Sequence, residues 1–294
     1  MMDFYLNKFC RLSGARNSVK DSKVIFLGVP YDWSTIDRPG SRYGPLHIRK
    51  SFEQFLGYDS TSEKDLYESL LPCDLGDIEV VPGDYTETLK RTEETLGKIL
   101  SENSKAFLVG LGGEHSITYS FLKSLREVNE DFVVVSFDAH PDLKEDYMGN
   151  TETNVTYLRR VCDFVEPSSI ILVGIRDADR DEMDYVKKNN ITILHGKAIK
   201  EDLGASLSAF KKAIKGKKLY LTIDVDVLDT AIAPGTSSPS PGGLSMDEMK
   251  AFLDICVPQA IGMDIVEVSP PFDIGETTSF TAAKLIYYAL SLKA

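Results

Sequence analysis

Three ionisable residues directly follow an apolar run in the stretch "VVVSFDAHPDL" (133–143). Asp138, His140 and Asp142 are spaced two residues apart. In an extended backbone this spacing places all three side chains on the same side of the strand. Because carboxylates and imidazoles are common ligands of divalent cations, the stretch is a candidate metal site.

A second pair of carboxylates repeats this spacing, and a third motif adds an imidazole. Asp224 and Asp226 lie in "TIDVDVLD", and His115 lies in "GLGGEHS". Burying carboxylates costs several kcal/mol each unless a cation neutralises them. Two imidazoles and four carboxylates exceed what one tetrahedral zinc ion needs, and they suit two divalent ions that activate a bridging water for hydrolysis. Ligation by oxygen and imidazole without thiolate favours Mn²⁺ over Zn²⁺.

Each motif alone has a simpler explanation. A lone DxD pair is more often a solvated strand end, and a lone histidine after glycines is more often a capping or packing residue. "GLGGEH" is also a candidate phosphate loop, but it lacks the GxGxxG spacing and the GK[ST] ending of such loops. A nucleotide-binding α/β domain remains as an alternative, and it predicts phosphate affinity without metal dependence.

The segments that must position these motifs alternate between strand and helix patterns. Continuous apolar runs typical of strands buried on both faces cover 24–30, 106–113, 132–140, 170–176, 191–196, 219–227 and 260–270. Helical spacing is found over 86–101, over 116–126 and in the C-terminal "TSFTAAKLIYYALSLK". This alternation predicts a mostly parallel sheet covered by helices, in one domain spanning 1–294. The polar motifs fall at the carboxyl ends of the strands, where such sheets bind ligands.

The composition is that of a soluble globular protein, with 43% hydrophobic residues and a net charge of −12. An acidic chain lacks the basic footprint of a nucleic-acid binder and is compatible with a cationic substrate. The four cysteines are far apart, which favours reduced thiols over a disulfide framework. The N-terminal stretch lacks the apolar run of a signal peptide, and no run reaches the roughly 18 residues of a membrane helix. We therefore predict a cytoplasmic protein without nucleic-acid or membrane partners.

Several motifs resemble those of the ureohydrolase family, which includes arginase and agmatinase. They are "GVPYDWSTIDRPGSRYGPLHIR" (28–49), "DLGDI" (74–78), "GGEHS" (112–116), "SFDAHPD" (136–142), "GIRD" (174–177), "DVDVLDTAIAPGTSSPSPGGLS" (224–245) and "MDIVEVSPPFD" (263–273). The resemblance extends from about Val24 to the final helix. Within the family, "PGSRYGP" and "APGTSSPSPGGLS" are more similar to agmatinases than to arginases.

The resemblance implies a three-layer α/β/α sandwich and two Mn²⁺ ions per subunit. It further implies that two of the ligands are shared between the ions. One ion would be held by His115, Asp138, Asp142 and Asp224, and the other by Asp138, His140, Asp224 and Asp226.

The resemblance also implies a reaction. A hydroxide that bridges the ions would attack the carbon of a guanidinium group, Asp142 would pass a proton to the leaving amine, and Glu267 would pair with the guanidinium. Agmatine is the expected substrate, and putrescine and urea are the expected products. Relatives of this kind are usually homo-oligomers, often trimers or hexamers.

One position departs from the family pattern. Asn154 stands where relatives carry a histidine that helps to bind substrate or to carry protons. An asparagine side chain can form hydrogen bonds but cannot titrate, so Asn154 is expected to bind substrate without relaying protons. This substitution leaves two alternatives to an agmatine hydrolase. One is an enzyme for another guanidino or formimino compound, such as arginine or guanidinobutyrate. The other is a metal-binding paralogue with weak or no turnover.

Three further residues are predicted near this region. His47 is expected to be a structural or rim residue, and His195 is expected to be a satisfied structural residue, so neither is an obvious substitute for the missing histidine. Trp33, the single tryptophan, lies in the loop expected to border the pocket. Two roles stay open for Trp33, shaping the substrate site or packing.

Overall fold

The computed structural model describes residues 5–8, 10–55 and 57–294. Two strands of two residues each form a small hairpin, and all other strands belong to one sheet. The strands are β1 (Leu6–Asn7), β2 (Val24–Val29), β3 (Tyr58–Asp59), β4 (Lys64–Asp65), β5 (Cys73–Ile78), β6 (Phe107–Gly112), β7 (Val133–Phe137), β8 (Ile170–Ile175), β9 (Thr192–His195), β10 (Leu219–Asp224) and β11 (Ala260–Val266). The sheet order is β1-β5-β2-β6-β11-β10-β7-β8-β9.

The helices connect successive strands. They are α1 (Gly44–Phe52), α2 (Leu66–Leu70), α3 (Tyr85–Glu102), α4 (Thr118–Val128), α5 (Tyr157–Val161), α6 (Arg180–Lys188), α7 (Gly196–Glu201), α8 (Leu203–Ile214), α9 (Met246–Cys256) and α10 (Thr277–Ser291). Side-chain caps fix several of their starts, because a side-chain oxygen satisfies a free N–H of the first turn. Asp84 accepts from Glu87 N before α3, and Asp202 accepts from Ala205 N before α8.

Two apolar cores cover the two faces of the sheet. One core contains Phe210, Phe252 and Ile286, from helices α8, α9 and α10. The other contains Leu96 and Phe121, from α3 and α4. All strand pairs of the large sheet are parallel except β1 with β5. The predicted three-layer α/β/α fold with a mostly parallel sheet is therefore confirmed. The predicted domain, 1–294, includes residues 1–4, 9 and 56, which lie outside the described residues.

All seven predicted strands are present, but the pattern of apolar runs did not predict β5. This strand has the sequence "CDLGDI" and carries two acidic residues into the sheet. The buried guanidinium of Arg49 neutralises both of them, with Nε 2.8 Å from Asp74 Oδ2 and Nη1 2.5 Å from Asp77 Oδ1. Arg49 lies on α1, so the partner that allows this strand to be buried is distant in sequence.

Four neighbouring strands of the sheet, β6, β11, β10 and β7, lead into the sequence motifs. They are parallel, so the loops that follow them lie side by side at one edge of the sheet. This order brings residues that are more than 100 positions apart into a single site. Among the described residues, no helix is long and apolar enough to cross a membrane.

Candidate metal centre

Asp224 is the last residue of β10, but the other predicted ligands lie beyond the ends of their strands. β7 ends at Phe137, and Asp142 has the left-handed φ of 52°. Similarly, β10 ends at Asp224, and Asp226 lies in the 3₁₀ turn that follows. The predicted strand periodicity of these motifs was therefore wrong. Hydrogen bonds within the turns orient the side chains instead, because His140 N donates to Asp138 Oδ1 at 2.7 Å.

The six residues nevertheless converge, in two overlapping groups. Around His115 Nδ1 lie the Oδ2 atoms of Asp138 at 3.1 Å, Asp142 at 3.2 Å and Asp224 at 3.4 Å. Around His140 Nδ1 lie Asp226 Oδ2 at 3.0 Å and Asp138 Oδ1 at 3.7 Å. Asp138 belongs to both groups, which is the arrangement of a carboxylate shared between two ions. The bridging role of Asp224 stays a prediction.

The chemistry of this cluster fits divalent cations. His115 Nδ1 and Asp138 Oδ2 are buried and form no hydrogen bond, although they are only 3.1 Å apart. Burial and the nearby Asp138 charge together raise the pKa of Asp142 to about 8. Burial, together with the charges of Asp226 and Asp138, also raises the pKa of Asp224 well above its usual value. Bound cations would lower these pKa values, because they favour the ionised carboxylates.

The other side of the His115 ring is held by groups that the sequence motifs did not reveal. Its Nε2 atom is 2.8 Å from Thr222 Oγ1 and 2.8 Å from the Tyr157 hydroxyl, and the Tyr157 ring stacks on the imidazole. The Thr222 hydroxyl donates to Asp264 Oδ1 at 2.6 Å, so its oxygen can accept a hydrogen bond from the N–H of His115 Nε2. This tautomer leaves the Nδ1 lone pair facing the carboxylates, as a metal ligand requires.

Replacing Asp264 by Asn is expected to lower the metal affinity about 10- to 100-fold, the usual cost of losing an outer partner of a metal ligand. The reason is that the Thr222 hydroxyl would lose its anionic acceptor and no longer fix the His115 tautomer. Titration calorimetry with Mn²⁺ on the chelated protein measures this change. Asp264 also accepts from the Tyr220 hydroxyl, and Asp254 offers a matched control because its exposed carboxylate accepts from the Tyr288 hydroxyl. An affinity equal to that of the unmodified protein would contradict the prediction.

Glu267 follows β11 and faces the same space. Its Oε1 accepts from His115 N at 2.9 Å, and its Oε2 accepts from the Ser237 hydroxyl at 2.9 Å. The left-handed φ of 63° costs about 1–2 kcal/mol in a non-glycine residue, so tertiary contacts must maintain it. Burial raises the pKa of Glu267 to about 7. A cation beside this carboxylate would favour its ionised form. An ionised carboxylate is the partner that a guanidinium group binds.

These residues open into one cavity of about 360 Å³. Its wall includes His140, Asp142, Asp224, Asp226 and Glu267 on the cluster side, and Ile36, Lys144, Asn154, Asp177, Asp179 and Glu182 among the others. The structure thus brings Asn154 to the cavity, as predicted for a substrate-binding residue. Its Oδ1 atom accepts from Ile36 N at 3.1 Å, a contact that no sequence motif indicated.

The three additional residues predicted near the site do not line this cavity. His47 Nδ1 is 3.1 Å from Glu276 Oε1 at the surface. His195 is exposed at the end of β9, unlike a packed structural residue. Trp33 packs against Tyr31 and lies under the Arg42 guanidinium, so it contributes packing beside the site. Neither histidine lines the cavity beside Asn154.

Removing bound metal is expected to destabilise the protein, because the buried carboxylates then repel one another. A site that is saturated at 100 times its Kd contributes about 2.7 kcal/mol. For a chain of 294 residues that corresponds to a Tm lower by roughly 4 °C for each site. Thermal melts with and without chelator, followed by addition of Mn²⁺, measure the effect. Addition of NaCl at equal ionic strength is the control, and an unchanged Tm after chelation would contradict the prediction.

The fold and the cluster together define a class, the α/β/α hydrolases that bind two metal ions at the ends of central parallel strands. The chain belongs to the arginase family, whose model matches residues 22–291. It is 32% identical over 278 residues to an agmatinase of Halalkalibacterium halodurans, with 92% of each chain covered. It is a metal-dependent hydrolase of carbon–nitrogen bonds in guanidino compounds.

Two solved structures are similar along nearly the whole chain. The agmatine ureohydrolase of Thermoplasma volcanium superposes with a TM-score of 0.88 at 28% identity, covering 98% of this chain and 95% of the other. The proclavaminate amidino hydrolase of Streptomyces clavuligerus superposes with a TM-score of 0.89 at 28% identity, covering 99% and 98%. These two relatives carry different substrate names, so the shared fold alone does not define the substrate.

Proposed function

We propose that this chain hydrolyses agmatine to putrescine and urea with two Mn²⁺ ions per subunit. The position of Glu267 carries the proposal, because a buried carboxylate in the wall of the cavity suits a guanidinium group beside the metal cluster. Support for agmatine comes from the agmatinase of Halalkalibacterium halodurans and the agmatine ureohydrolase of Thermoplasma volcanium. The oxygen-rich ligand set supports Mn²⁺.

In this proposal each residue of the cavity has a separate task. Glu267 pairs with the guanidinium and fixes its plane, since its own oxygens are held by His115 N and the Ser237 hydroxyl. When bound, the two ions would supply a water activated for attack at neutral pH. Asp142 lines the cavity beside the cluster, where it would pass a proton to the leaving amine. Asp138 and Asp224 would be the shared ligands.

The proposal also covers the metabolic role, the compartment and the assembly of the enzyme. Production of putrescine would give the chain a role in polyamine biosynthesis. We also propose that the chain forms one domain over 1–294, acts in the cytoplasm and assembles as a homo-oligomer, a trimer or a hexamer. Support for a reducing compartment comes from the four cysteines, Cys10, Cys73, Cys162 and Cys256, all of which are unpaired.

A substrate panel tests the proposal. Urea release is measured with agmatine, arginine, guanidinobutyrate and related guanidines in added Mn²⁺, and agmatine is expected to have the highest kcat/KM. A higher value for another member of the panel would favour the alternative of a different guanidino or formimino substrate. Metal binding without turnover of any member would favour the paralogue with weak or no activity, and the proposed reaction would then be wrong.

A further inference from the structure

Residues 33–38, here called the pocket loop, run beside the cavity without regular secondary structure. Among the hydrogen bonds described for the pocket loop, none joins backbone to backbone. Hydrogen bonds that involve side chains hold it instead. The backbone N–H and the hydroxyl of Ser34 donate to Oε1 of the buried Glu114 at 3.1 and 2.5 Å. The N-terminal part of the loop is thus attached to the motif that carries His115.

The C-terminal part of the pocket loop has a different anchor. The Arg38 side chain donates to the backbone carbonyls of Thr236 and Ser237, at 2.8 and 3.0 Å. Its guanidinium also lies 4.2 Å from the centre of the Phe272 ring. Both ends of the loop are therefore fixed to segments that follow the central strands. The middle of the loop faces the cavity through Ile36, and the Ser238 hydroxyl donates to the exposed Asp37 beside it at 3.3 Å.

Asn154 anchors the middle of the loop at Ile36. Its Oδ1 atom accepts the backbone N–H of Ile36 at 3.1 Å, and its side chain is buried in the wall of the cavity. The hydrogen bond uses an acceptor atom and involves no proton transfer. A neutral imidazole at this position could accept the same N–H through Nδ1. Asparagine and histidine can therefore both hold Ile36 by this hydrogen bond.

We propose that Asn154 is a positioning residue that sets the substrate specificity of this chain by holding Ile36 against the cavity. The inference rests on the proposed function in one respect, that the substrate is a linear guanidine. In such a substrate the apolar methylene chain would lie along Ile36 while the guanidinium meets Glu267. The position thus needs a hydrogen-bond acceptor and no titratable group.

The test compares two variants at one position. Asn154→Leu removes the acceptor with little change in side-chain size, whereas Asn154→His keeps an acceptor and restores a titratable ring. Assays at pH 8.5 keep the imidazole neutral, about two units above its usual pKa. Asn150→Leu is the matched control, because Asn150 Oδ1 also accepts a backbone N–H, that of Glu152, but the residue is exposed and outside the cavity.

Trp33 provides a readout that does not depend on activity. It is the single tryptophan of the chain, and it begins the pocket loop. Acrylamide quenching of its fluorescence therefore reports how firmly the loop is held. We expect a steeper quenching slope for Asn154→Leu, and slopes equal to that of the unmodified protein for Asn154→His and Asn150→Leu. An unchanged slope for Asn154→Leu would overturn the proposal.

Kinetics with agmatine provide the second readout. Losing one neutral hydrogen bond is expected to raise KM about three- to tenfold in Asn154→Leu, with kcat changed less than about twofold. Asn154→His keeps an acceptor, so its KM is expected to rise less than that of Asn154→Leu. A gain in its kcat of about tenfold or more would overturn the proposal, because it would identify proton transfer as the missing property. If no guanidine is hydrolysed, the proposed function fails, while the fluorescence comparison still decides the role of Asn154.

Discussion

Replacing Asp138 by Asn is expected to abolish urea release and to remove bound metal. Asp138 is the residue shared by both ligand groups, with one carboxylate oxygen toward His115 and the other toward His140. Asparagine keeps the shape and can still accept from His140 N, but it lacks the charge that holds a divalent ion. Loss of an outer partner already costs about 10- to 100-fold, so the loss of a shared ligand is expected to lower kcat/KM by at least about 100-fold.

Two measurements separate this effect from misfolding. Metal content after dialysis is expected to fall in Asp138→Asn, whereas a cooperative thermal transition of the chelated variant would show that the chain still folds. Asp131→Asn is the matched control, since Asp131 is exposed just before the same strand. Full metal content together with normal urea release in Asp138→Asn would contradict the assignment of Asp138 as a shared ligand.

The sequence was sufficient to predict where the cluster lies. Strands β6, β7, β10 and β11 are continuous apolar runs, and polar residues follow each of them. In a parallel sheet the carboxyl ends of neighbouring strands meet, so convergence of the motifs followed from the fold class. Membership of the arginase family supports the same location of the metal site.

The geometry of each loop could not be predicted, because it depends on partners distant in sequence. Asp138 N donates to Val173 O on β8, and Ala139 N donates to Asp226 Oδ1 beyond β10. These contacts turn the chain out of the extended conformation before Asp142. A spacing of two residues predicted a strand, and the tertiary hydrogen bonds overrode it.

The network behind His115 was missed for a related reason. Asp264 lies within an apolar run. A single acid in a strand that is buried on both faces has no access to water, so it indicates hydrogen-bond partners inside the protein. Its partners become apparent only from the strand register, which sets Asp264 opposite Thr222 on β10. Tyr157 reaches His115 from α5, which the pattern of apolar residues did not predict.

Replacing Glu267 by Gln is expected to reduce kcat/KM strongly while leaving the metals in place. Glutamine can still accept from His115 N through its one carbonyl oxygen, and its NH2 group can donate to the Ser237 hydroxyl oxygen, so the local structure is expected to persist. It cannot offer a charge to the guanidinium. Truncating one partner of a buried, hydrogen-bonded charge pair costs about 2–5 kcal/mol, which corresponds to a loss of at least about 30-fold in kcat/KM.

Metal content and KM together distinguish two roles for Glu267, binding of the guanidinium and support of the His115 backbone. We expect normal metal content and a higher KM for Glu267→Gln, in contrast to Asp138→Asn, which is expected to lose metal. Glu276→Gln is a suitable control, because Glu276 also has a left-handed φ but pairs with His47 at the surface. Loss of metal from Glu267→Gln would instead mean that Glu267 acts by holding the His115 backbone, and its role in guanidinium binding would then be wrong.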